Sequence, residues 1–344
     1  MRELLEFAHS ELKSGRPVVC AVIVTSSGST PRSTGSRMAV SVDGRCQGTV
    51  GGGPAEAMAQ RQAQTVHQSQ DSSLLILDLT GKQAADAGMI CGGKQEILLE
   101  YIPADLDNTE MFSRLLATWD QGQGSSLCTV FVQESERIRI VDRTLDPGSL
   151  PESVPLSLRE QARKMAHKSS LPAVGREDVF TLLVEPIRPP GTLYIAGAGH
   201  VGKTTADLAA YVGFRTFIID DRADFLIPER FPQSSSLVHT PEFEACFEHL
   251  DMPAASAIVI VTRGHVHDRN VLAQALQTKA GYIGMIGSTK KRDAIYDALG
   301  RQGVDQGQLD RVHCPIGLSI GADTPEEIAV SIVAELIQER AKVG

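Results

Sequence analysis

Residues Leu193-Tyr194-Ile195-Ala196-Gly197-Ala198-Gly199-His200-Val201-Gly202 join a short apolar run to a glycine-rich loop. The run has the length of a buried strand, and residues 200–212 then show the apolar spacing of a helix. In this Gly-x-Gly-x-x-Gly pattern, Gly197 permits a tight turn, Gly199 lets a diphosphate approach the backbone, and Gly202 lets helix and strand pack closely. Because a helix N-terminus offers free N–H groups to phosphates, the stretch predicts a Rossmann-type nucleotide site. The alternative is that the glycines serve only helix–sheet packing.

The alternation of strand and helix continues through the last third of the sequence. Strands are predicted over 193–196, 216–219, 257–261 and 281–286, and helices over 200–212, 242–249, 268–278 and 289–299. This alternation predicts an α/β fold with a doubly wound parallel sheet, and we assign residues 191–344 to a Rossmann-type nucleotide-binding domain. The final helix should begin at Pro325, with Thr324 as its N-cap and Glu327 completing a capping box.

Two residues after the second strand bear on which nucleotide binds. Asp220 ends that strand about twenty residues after the glycine loop, where a carboxylate can accept a hydrogen bond from a ribose 2′-hydroxyl. This placement favours NAD over NADP. Arg222 leaves NADP open, since an arginine can receive a 2′-phosphate.

Other polar residues follow the strands at the same predicted edge. His200 lies within the glycine loop and is either a ligand contact or a solvated side chain. His265 follows the strand 257–261, and His265-Val266-His267-Asp268 could suggest a metal, although a polar ligand contact or a helix cap is favoured. Gly287 and Ser288 begin a second turn from strand to helix, which is either an anion contact with the following lysines or a plain capped helix.

The first 190 residues divide by pattern into two segments. Residues 1–103 predict an N-terminal α+β domain with helices at 2–14 and 55–68, strands at 18–24, 74–79 and 96–101, and a hairpin at Asp43-Gly44. Residues 104–190 predict a variable α/β extension and linker, with helices at 109–119 and 157–168 and strands at 126–133, 137–141 and 181–184. Pro186, Pro189, Pro190 and Gly191 mark the linker, since proline disfavours helix before it.

Composition excludes several classes of protein. The 344 residues are 42% apolar and 22% charged with a formal net charge of −9, which indicates a globular domain and argues against nucleic-acid binding. No apolar run has the ~18 residues of a membrane helix, and the N-terminus has no signal-peptide layout, so the expected compartment is the cytoplasm. The six cysteines are scattered without a Cys-x-x-Cys pair.

The chain resembles the XdhC/CoxI family of accessory proteins for molybdenum hydroxylases such as xanthine dehydrogenase. The resemblance rests on the motifs at 28–32, 48–56, 91–93, 197–202, 220–222, 282–288, 315–322 and 324–329. It implies that the chain binds the molybdenum cofactor (molybdopterin), protects it and delivers it to a xanthine dehydrogenase-like hydroxylase. It also implies work with a cysteine desulfurase in some members, and a homodimer. One departure is Arg263, in a stretch where the family pattern is of the Thr-His-Gly-His type.

The N-terminal motifs suggest how such a cofactor would be held. Gly51, Gly52 and Gly53 would cradle a phosphate by backbone N–H groups, unless they form only a tight turn. In the neighbouring motif, Arg32 would make a bidentate contact to phosphate, unless it is merely exposed. Cys91 would supply a soft thiolate to molybdenum or carry sulfur, unless it is a buried structural thiol. The predicted contacts in these motifs are completed by Thr30, Glu56, Gly92 and Gly93.

Two functions therefore compete. The favoured one is a non-catalytic chaperone for the molybdenum cofactor, and the alternative is an NAD(P)-dependent oxidoreductase that uses the same Rossmann domain. An oxidoreductase needs a proton donor beside the nicotinamide. The sequence has no convincing Tyr-x-x-x-Lys pair, and His265 with Asp268 is a weak substitute. The oxidoreductase would also leave Gly51–Gly53 and Cys91 without a role.

Overall fold

The computed structural model divides the chain into two compact units, Met1–Arg188 and Pro189–Gly344. It describes residues 1–28, 34–78, 93–134, 137–168, 171–189, 191–234, 236–250, 252–253 and 255–342. The predicted subdivision of the first unit between residues 103 and 104 stays a prediction.

The first unit is built on a five-stranded antiparallel sheet. Across the sheet the strands are β3 (Cys46–Gly48), β2 (Arg37–Ser41), β1 (Val18–Gly28), β5 (Gly93–Ile102) and β4 (Ser73–Asp78). Side chains of β1 alternate between the faces, as the strand repeat requires. Val19, Ala21 and Ile23 pack on α2 (Gly53–Ser69), and Val18 packs with α1 (Arg2–Lys13) and α3 (Leu106–Asp120).

A second antiparallel sheet completes this unit. Its strands are β7 (Arg137–Thr144), β6 (Ser125–Glu134), β9 (Phe180–Ile187) and β8 (Ala173–Glu177), and α4 (Leu156–Lys168) packs on it. Val22 and Val24 of the first sheet share a buried cluster with Phe131 and Leu183 of the second. The sequence pattern missed β8, whose residues are only partly buried and include a glycine.

The second unit is a six-stranded parallel sheet, which confirms the predicted fold class. Across the sheet the strands are β12 (Ser236–His239), β11 (Arg215–Asp220), β10 (Thr192–Ala196), β13 (Ala257–Ile260), β14 (Tyr282–Met285) and β15 (Val312–His313). Helices α5 (His200–Tyr211) and α9 (Pro325–Lys342) cover one face. The other face is covered by α6 (His265–Ala275) and α7 (Thr289–Gly300), so the sheet is doubly wound.

The helix predicted over 242–249 is wrong. Residues Pro241–Phe243 form a single 3₁₀ turn, and Glu242, Phe243 and Ala245 have φ of 52°, 55° and 52°. A right-handed helix cannot propagate through left-handed residues, so apolar spacing alone misled the prediction. The strands β12 and β15 and the short helix α8 (Gln306–Leu309) were also missed, because each has at most four residues.

The start of the last helix agrees with the prediction. The backbone N–H of Glu327 donates to Thr324 Oγ1 at 3.2 Å, and the N–H of Thr324 donates to Glu327 Oε2 at 3.2 Å. These reciprocal bonds are the predicted capping box. Over the ranges described above, the structure contains no helix of the length and apolarity needed to cross a membrane.

Candidate functional site

The glycine loop lies at the centre of the parallel sheet, where the strand order reverses. β10 and β13 are neighbours there, and the helices that follow them cover opposite faces. Open α/β sheets bind ligands in the crevice formed at this point, outside the carboxyl ends of the strands. The candidate site of the second unit is therefore bounded by the loops that follow β10, β11, β13 and β14.

Two of the loop glycines are required by close backbone packing. Gly197 has a φ of 121°, and a Cβ added to it would lie 2.7 Å from the carbonyl carbon of Val261. A Cβ on Gly202 would lie 2.9 Å from the carbonyl carbon of Gly197. No side chain fits at either position without moving the backbone, so both glycines hold α5 and β13 close to the loop.

Gly199 differs from these two glycines. A Cβ added to it would meet no heavy atom within 4 Å, and its φ of −68° is accessible to any residue. Neither packing nor backbone conformation therefore explains a glycine here. Gly199 is the N-cap of α5, the following His200 is exposed, and no side chain at the cap bonds to the first turn. A side chain on the N-cap residue of this twelve-residue helix would therefore project into open space, and a phosphate at the helix start needs such space.

Asp220 fixes the glycine loop to the neighbouring strand. Its Oδ2 accepts from the backbone N–H of Ala198 at 2.6 Å, and its two oxygens accept from Arg222 Nε and Nη2 at 2.8 and 3.0 Å. Burial by itself would raise the pKa of Asp220, but the hydrogen bonds from Arg222 and Ala198 outweigh it and lower the pKa below its usual value. The carboxylate already has several donors, so a ribose hydroxyl would have to displace one of them.

Arg222 is held in a stack of aromatic and cationic groups. Its guanidinium lies 3.6 Å from the ring centroid of Phe225, and the guanidinium of Arg230 lies 4.7 Å from the same centroid. Arg230 Nη2 also donates to the carbonyl of Ala198 at 2.9 Å. Sequence reasoning missed Arg230, because nothing in its spacing relates it to a loop some thirty residues earlier.

A buried ion pair closes the far side of the crevice. Asp268 is fully buried and accepts from Thr262 N and Oγ1 at 3.1 and 2.6 Å, and Lys291 Nζ pairs with its other oxygen. Lys291 also donates to the carbonyl of Ile286 at 3.1 Å. Its ammonium is therefore engaged inside the protein, whereas Lys290 is exposed and its side chain faces solvent.

The remaining predicted residues of this edge lie on helix starts. His265 is the first residue of α6 and is exposed, and Gly287 precedes α7. Ser288 is the N-cap of α7, where its Oγ accepts from the N–H of Lys291 at 3.3 Å. Arg263, which departs from the family pattern, donates from Nη2 to Asp221 Oδ2 at 2.6 Å and so links the ends of β13 and β11.

The N-terminal motifs are connected by the pairing of β1 with β5. Gly28, which ends β1, pairs directly with Gly93, which begins β5. The motif that starts at Gly28 and the motif that ends at Gly93 therefore join the sheet at one cross-strand pair. Thr30, Arg32, Cys91 and Gly92 lie outside the described residues, and their predicted roles stay predictions.

In the glycine turn before α2, two backbone amides donate hydrogen bonds to nearby side chains of the same segment. Gly51, Gly52 and Gly53 have φ of 139°, 72° and 58°, so each suits glycine. The N–H of Gly51 donates to Thr49 Oγ1 at 3.1 Å, and the N–H of Gly52 donates to Glu56 Oε2 at 3.1 Å. Glu56 therefore acts as an internal anion at this helix start, and a phosphate bound here would compete with it.

Comparison with known proteins matches both units of the chain. The model of the XdhC Rossmann domain matches residues 193–336, and the model of the XdhC and CoxI family matches residues 11–78. The crystal structure of a xanthine dehydrogenase from Bacillus halodurans superposes with a TM-score of 0.80 at 25% identity, covering 98% of this chain and 96% of the other.

Three curated proteins are similar in sequence. A probable xanthine dehydrogenase subunit of Bacillus subtilis (strain 168) is 25% identical over 97% of this chain and 96% of its own length. The molybdenum cofactor insertion chaperone PaoD of Escherichia coli (strain K12) is 24% identical over 98% and 88%. The uncharacterized protein YqeB of the same organism is 33% identical over 53% of this chain, but the match spans only 34% of YqeB.

The open space at Gly199 predicts the effect of a side chain there. Gly199→Val should weaken binding of NAD⁺ or NADP⁺ about tenfold or more, because its methyl groups would occupy the volume of the diphosphate. Titration calorimetry on the full chain measures the effect. The matched control is Gly300→Val, since a Cβ at Gly300 also meets nothing within 4 Å. Equal affinity of the Gly199 variant and the native chain would show that the loop does not bind the diphosphate.

The contacts of Asp220 predict a loss of stability on removal of its charge. Asp220→Asn should lower the free energy of unfolding of the second unit by about 2–3 kcal/mol, since Arg222 loses its buried partner. Because the pKa of the folded carboxyl lies below its ordinary 3.8, the deficit should persist from neutral pH down to 3.8 and shrink as the pH falls further towards the pKa of the folded state.

Urea unfolding checks this with an internal control. Trp119, the single tryptophan, lies in the first unit, so the urea midpoint of its fluorescence should stay constant. The circular dichroism of the whole chain also reports the second unit, and its transition should begin at lower urea. Asp224→Asn, an exposed neighbour, should leave both signals unchanged. A variant at position 220 with native stability would mean that the carboxylate does not hold the loop.

Proposed function

Because the chain belongs to the XdhC and CoxI family, we propose that it binds the molybdenum cofactor as cargo and inserts it into a xanthine dehydrogenase-like molybdenum hydroxylase. In this role the chain is an accessory protein without redox turnover of its own. Similarity to an insertion chaperone along 98% of the chain supports the proposal, because it includes both units.

The observation that carries the proposal is the cross-strand pair of Gly28 and Gly93. It joins the motif containing Arg32 to the motif containing Cys91 at neighbouring strand ends. A guanidinium suits phosphate through paired hydrogen bonds, and a thiolate suits molybdenum as a soft ligand. A phosphorylated pterin that carries molybdenum presents both groups, so one guest can use both motifs.

The other thiols support the choice of Cys91. Burial raises the pKa of Cys20 and Cys128 to about 12, and that of Cys246 and Cys314 to about 11. These four groups stay protonated at neutral pH, whereas a metal ligand or a sulfur carrier must be a thiolate. Cys46 is exposed, but it begins β3, at the opposite end of that strand from the glycine turn. Cys91 is therefore the thiol that we assign to the cofactor.

The glycine turn at the start of α2 supplies a second phosphate contact in this proposal. The amides of Gly51 and Gly52 have partners in the turn, while added Cβ atoms at Gly52 and Gly53 would meet only open space. The backbone of Gly52 and Gly53 can thus be approached closely, as a phosphate requires. Thr30 and Gly92 complete the proposed contacts, and Glu56 would release the amide of Gly52 when a phosphate binds there.

The Rossmann crevice would hold a nucleotide part of the cargo or a separate nucleotide. Its proposed contacts on one side are the amide end of α5 and the side chains of Asp220 and Arg222. On the facing loops they are His265, Gly287 and Ser288. An NAD(P)-dependent oxidoreductase is the weaker alternative, since a ribose or a 2′-phosphate would first have to displace one partner of the Asp220–Arg222 pair. The acid–base candidate Asp268 is likewise buried against Lys291.

The proposal also concerns partners. The hydroxylase is the recipient, and a cysteine desulfurase would supply sulfur while the cofactor is held by Cys91. We further propose a homodimer in the cytoplasm. These partners follow from the resemblance to the family, and each can be tested by co-purification.

Substitution of Cys91 should separate the two binding functions. Cys91→Ala should reduce the molybdenum cofactor retained by the full chain at least about tenfold, because the soft ligand is lost. Nucleotide binding in the second unit should not change. The measurement is molybdenum content and pterin fluorescence after incubation with the cofactor and gel filtration.

The matched control is Cys46→Ala, which removes an exposed thiol whose sulfur contacts only Gln60 at 3.4 Å among the interactions described. Its retention of cofactor should equal that of the native chain. Full retention by the Cys91 variant would remove this thiol from the site. A native chain that retains no cofactor would overturn the proposed function itself.

A further inference from the structure

Three side chains that the proposed function does not use come together beyond the carboxyl end of β11. Asp221 follows β11, Glu242 lies in the turn after β12, and His267 lies in the first turn of α6. One carboxylate oxygen of each acidic residue and one ring nitrogen of His267 lie within 4.8 Å of one another. They come from three separate elements, so neither helical nor strand spacing brings them together.

Two of these side chains have buried polar atoms without a partner. Asp221 Oδ1 and His267 Nδ1 are buried and make no hydrogen bond among the described residues. The side chain of Asp221 is only 3% exposed. An unpaired buried polar atom destabilises the folded state, so two of them on facing side chains indicate a missing partner.

The known contacts of Asp221 do not satisfy this oxygen. Arg263 donates to Oδ2 at 2.6 Å, while Arg222 Nε lies 3.8 Å from Oδ1 and bonds to Asp220 instead. The carboxylates of Asp220 and Asp221 are paired with Arg222 and Arg263. Among the described residues no ion pair involves Glu242, so a bound cation would supply a partner for this carboxylate.

We propose that Asp221, Glu242 and His267 bind a divalent transition-metal ion. Two carboxylate oxygens and one imidazole nitrogen suit Zn²⁺ or Mn²⁺, whereas Mg²⁺ and Ca²⁺ prefer oxygen ligands alone. Three protein ligands leave coordination positions open for water or for an oxygen of a bound molecule. The ion would occupy the space beside the buried atoms of Asp221 and His267.

The geometry requires a small closure around the ion. Ligand atoms at about 2.0–2.2 Å from zinc lie about 3.5 Å from one another in a tetrahedral site. In the structure the three candidate ligand atoms lie within 4.8 Å of one another. Glu242 is exposed, so its side chain can move inward without disturbing packing. His267 is partly held, since its ring centroid lies 5.3 Å from that of Phe243.

The test uses the full chain after removal of metals with a chelator. Equilibrium dialysis against Zn²⁺ and Mn²⁺ with elemental analysis measures stoichiometry, and Co²⁺ absorption reports coordination by nitrogen and oxygen. We expect one ion per chain. Glu242→Gln and His267→Gln should each weaken binding about tenfold or more, because each loses one ligand.

Two exposed residues outside the proposed contacts provide matched controls. Glu244→Gln and His249→Gln change side chains of the same types and should bind the ion as the native chain does. Circular dichroism checks that each variant folds, and the exposed Glu242 is the decisive position. The proposal is overturned if the native chain binds no ion with saturation, or if Glu242→Gln binds it with native affinity. Neither result bears on the molybdenum cofactor, since the proposed cofactor contacts include none of these three ligands.

Discussion

The close crossing of backbone at Gly197 and Gly202 is the constraint on which the second unit depends. A Cβ at either glycine would overlap main-chain atoms of Val261 or of the loop itself. This contact sets how near α5 lies to the central strands, and Asp220 then ties the loop to β11 through the amide of Ala198. Gly199 has no such neighbour, so the packing of the protein does not require a glycine at this position.

Around this crossing, charged groups are paired with one another. Asp220 holds Arg222, Asp268 holds Lys291, and Arg263 reaches Asp221. Such pairs fix the ends of the strands, but they also occupy groups that could otherwise recognise a nucleotide. What remains for a ligand at the glycine loop is mainly backbone N–H at the start of α5. That is suited to a phosphate and gives little discrimination between nucleotides.

The first unit differs from the second in the direction of its strands. Both of its sheets are antiparallel, so the end of one strand lies beside the start of its neighbour. The pairing of Gly28 with Gly93 brings together two motifs more than sixty residues apart in sequence. Within the same unit, desolvation raises the pKa of Cys20 and Cys128 to about 12, so both stay protonated at neutral pH.

The sequence by itself determined the Rossmann-type fold, the roles of Gly197 and Gly202, and the capping box at Thr324, since each depends on neighbouring residues and on a fixed local geometry. It also indicated the family through short motifs. Only the tertiary structure decided that the carboxylate of Asp220 is occupied, that Lys291 faces inward, and that Glu242 lies in a turn rather than a helix. The amide of Ala198 and the carboxylate of Asp268 lie more than twenty residues from Asp220 and Lys291 in the chain, and local periodicity carries no information about such contacts. The meeting of Asp221, Glu242 and His267 is of the same kind, because the parallel sheet alone brings their three loops to one edge.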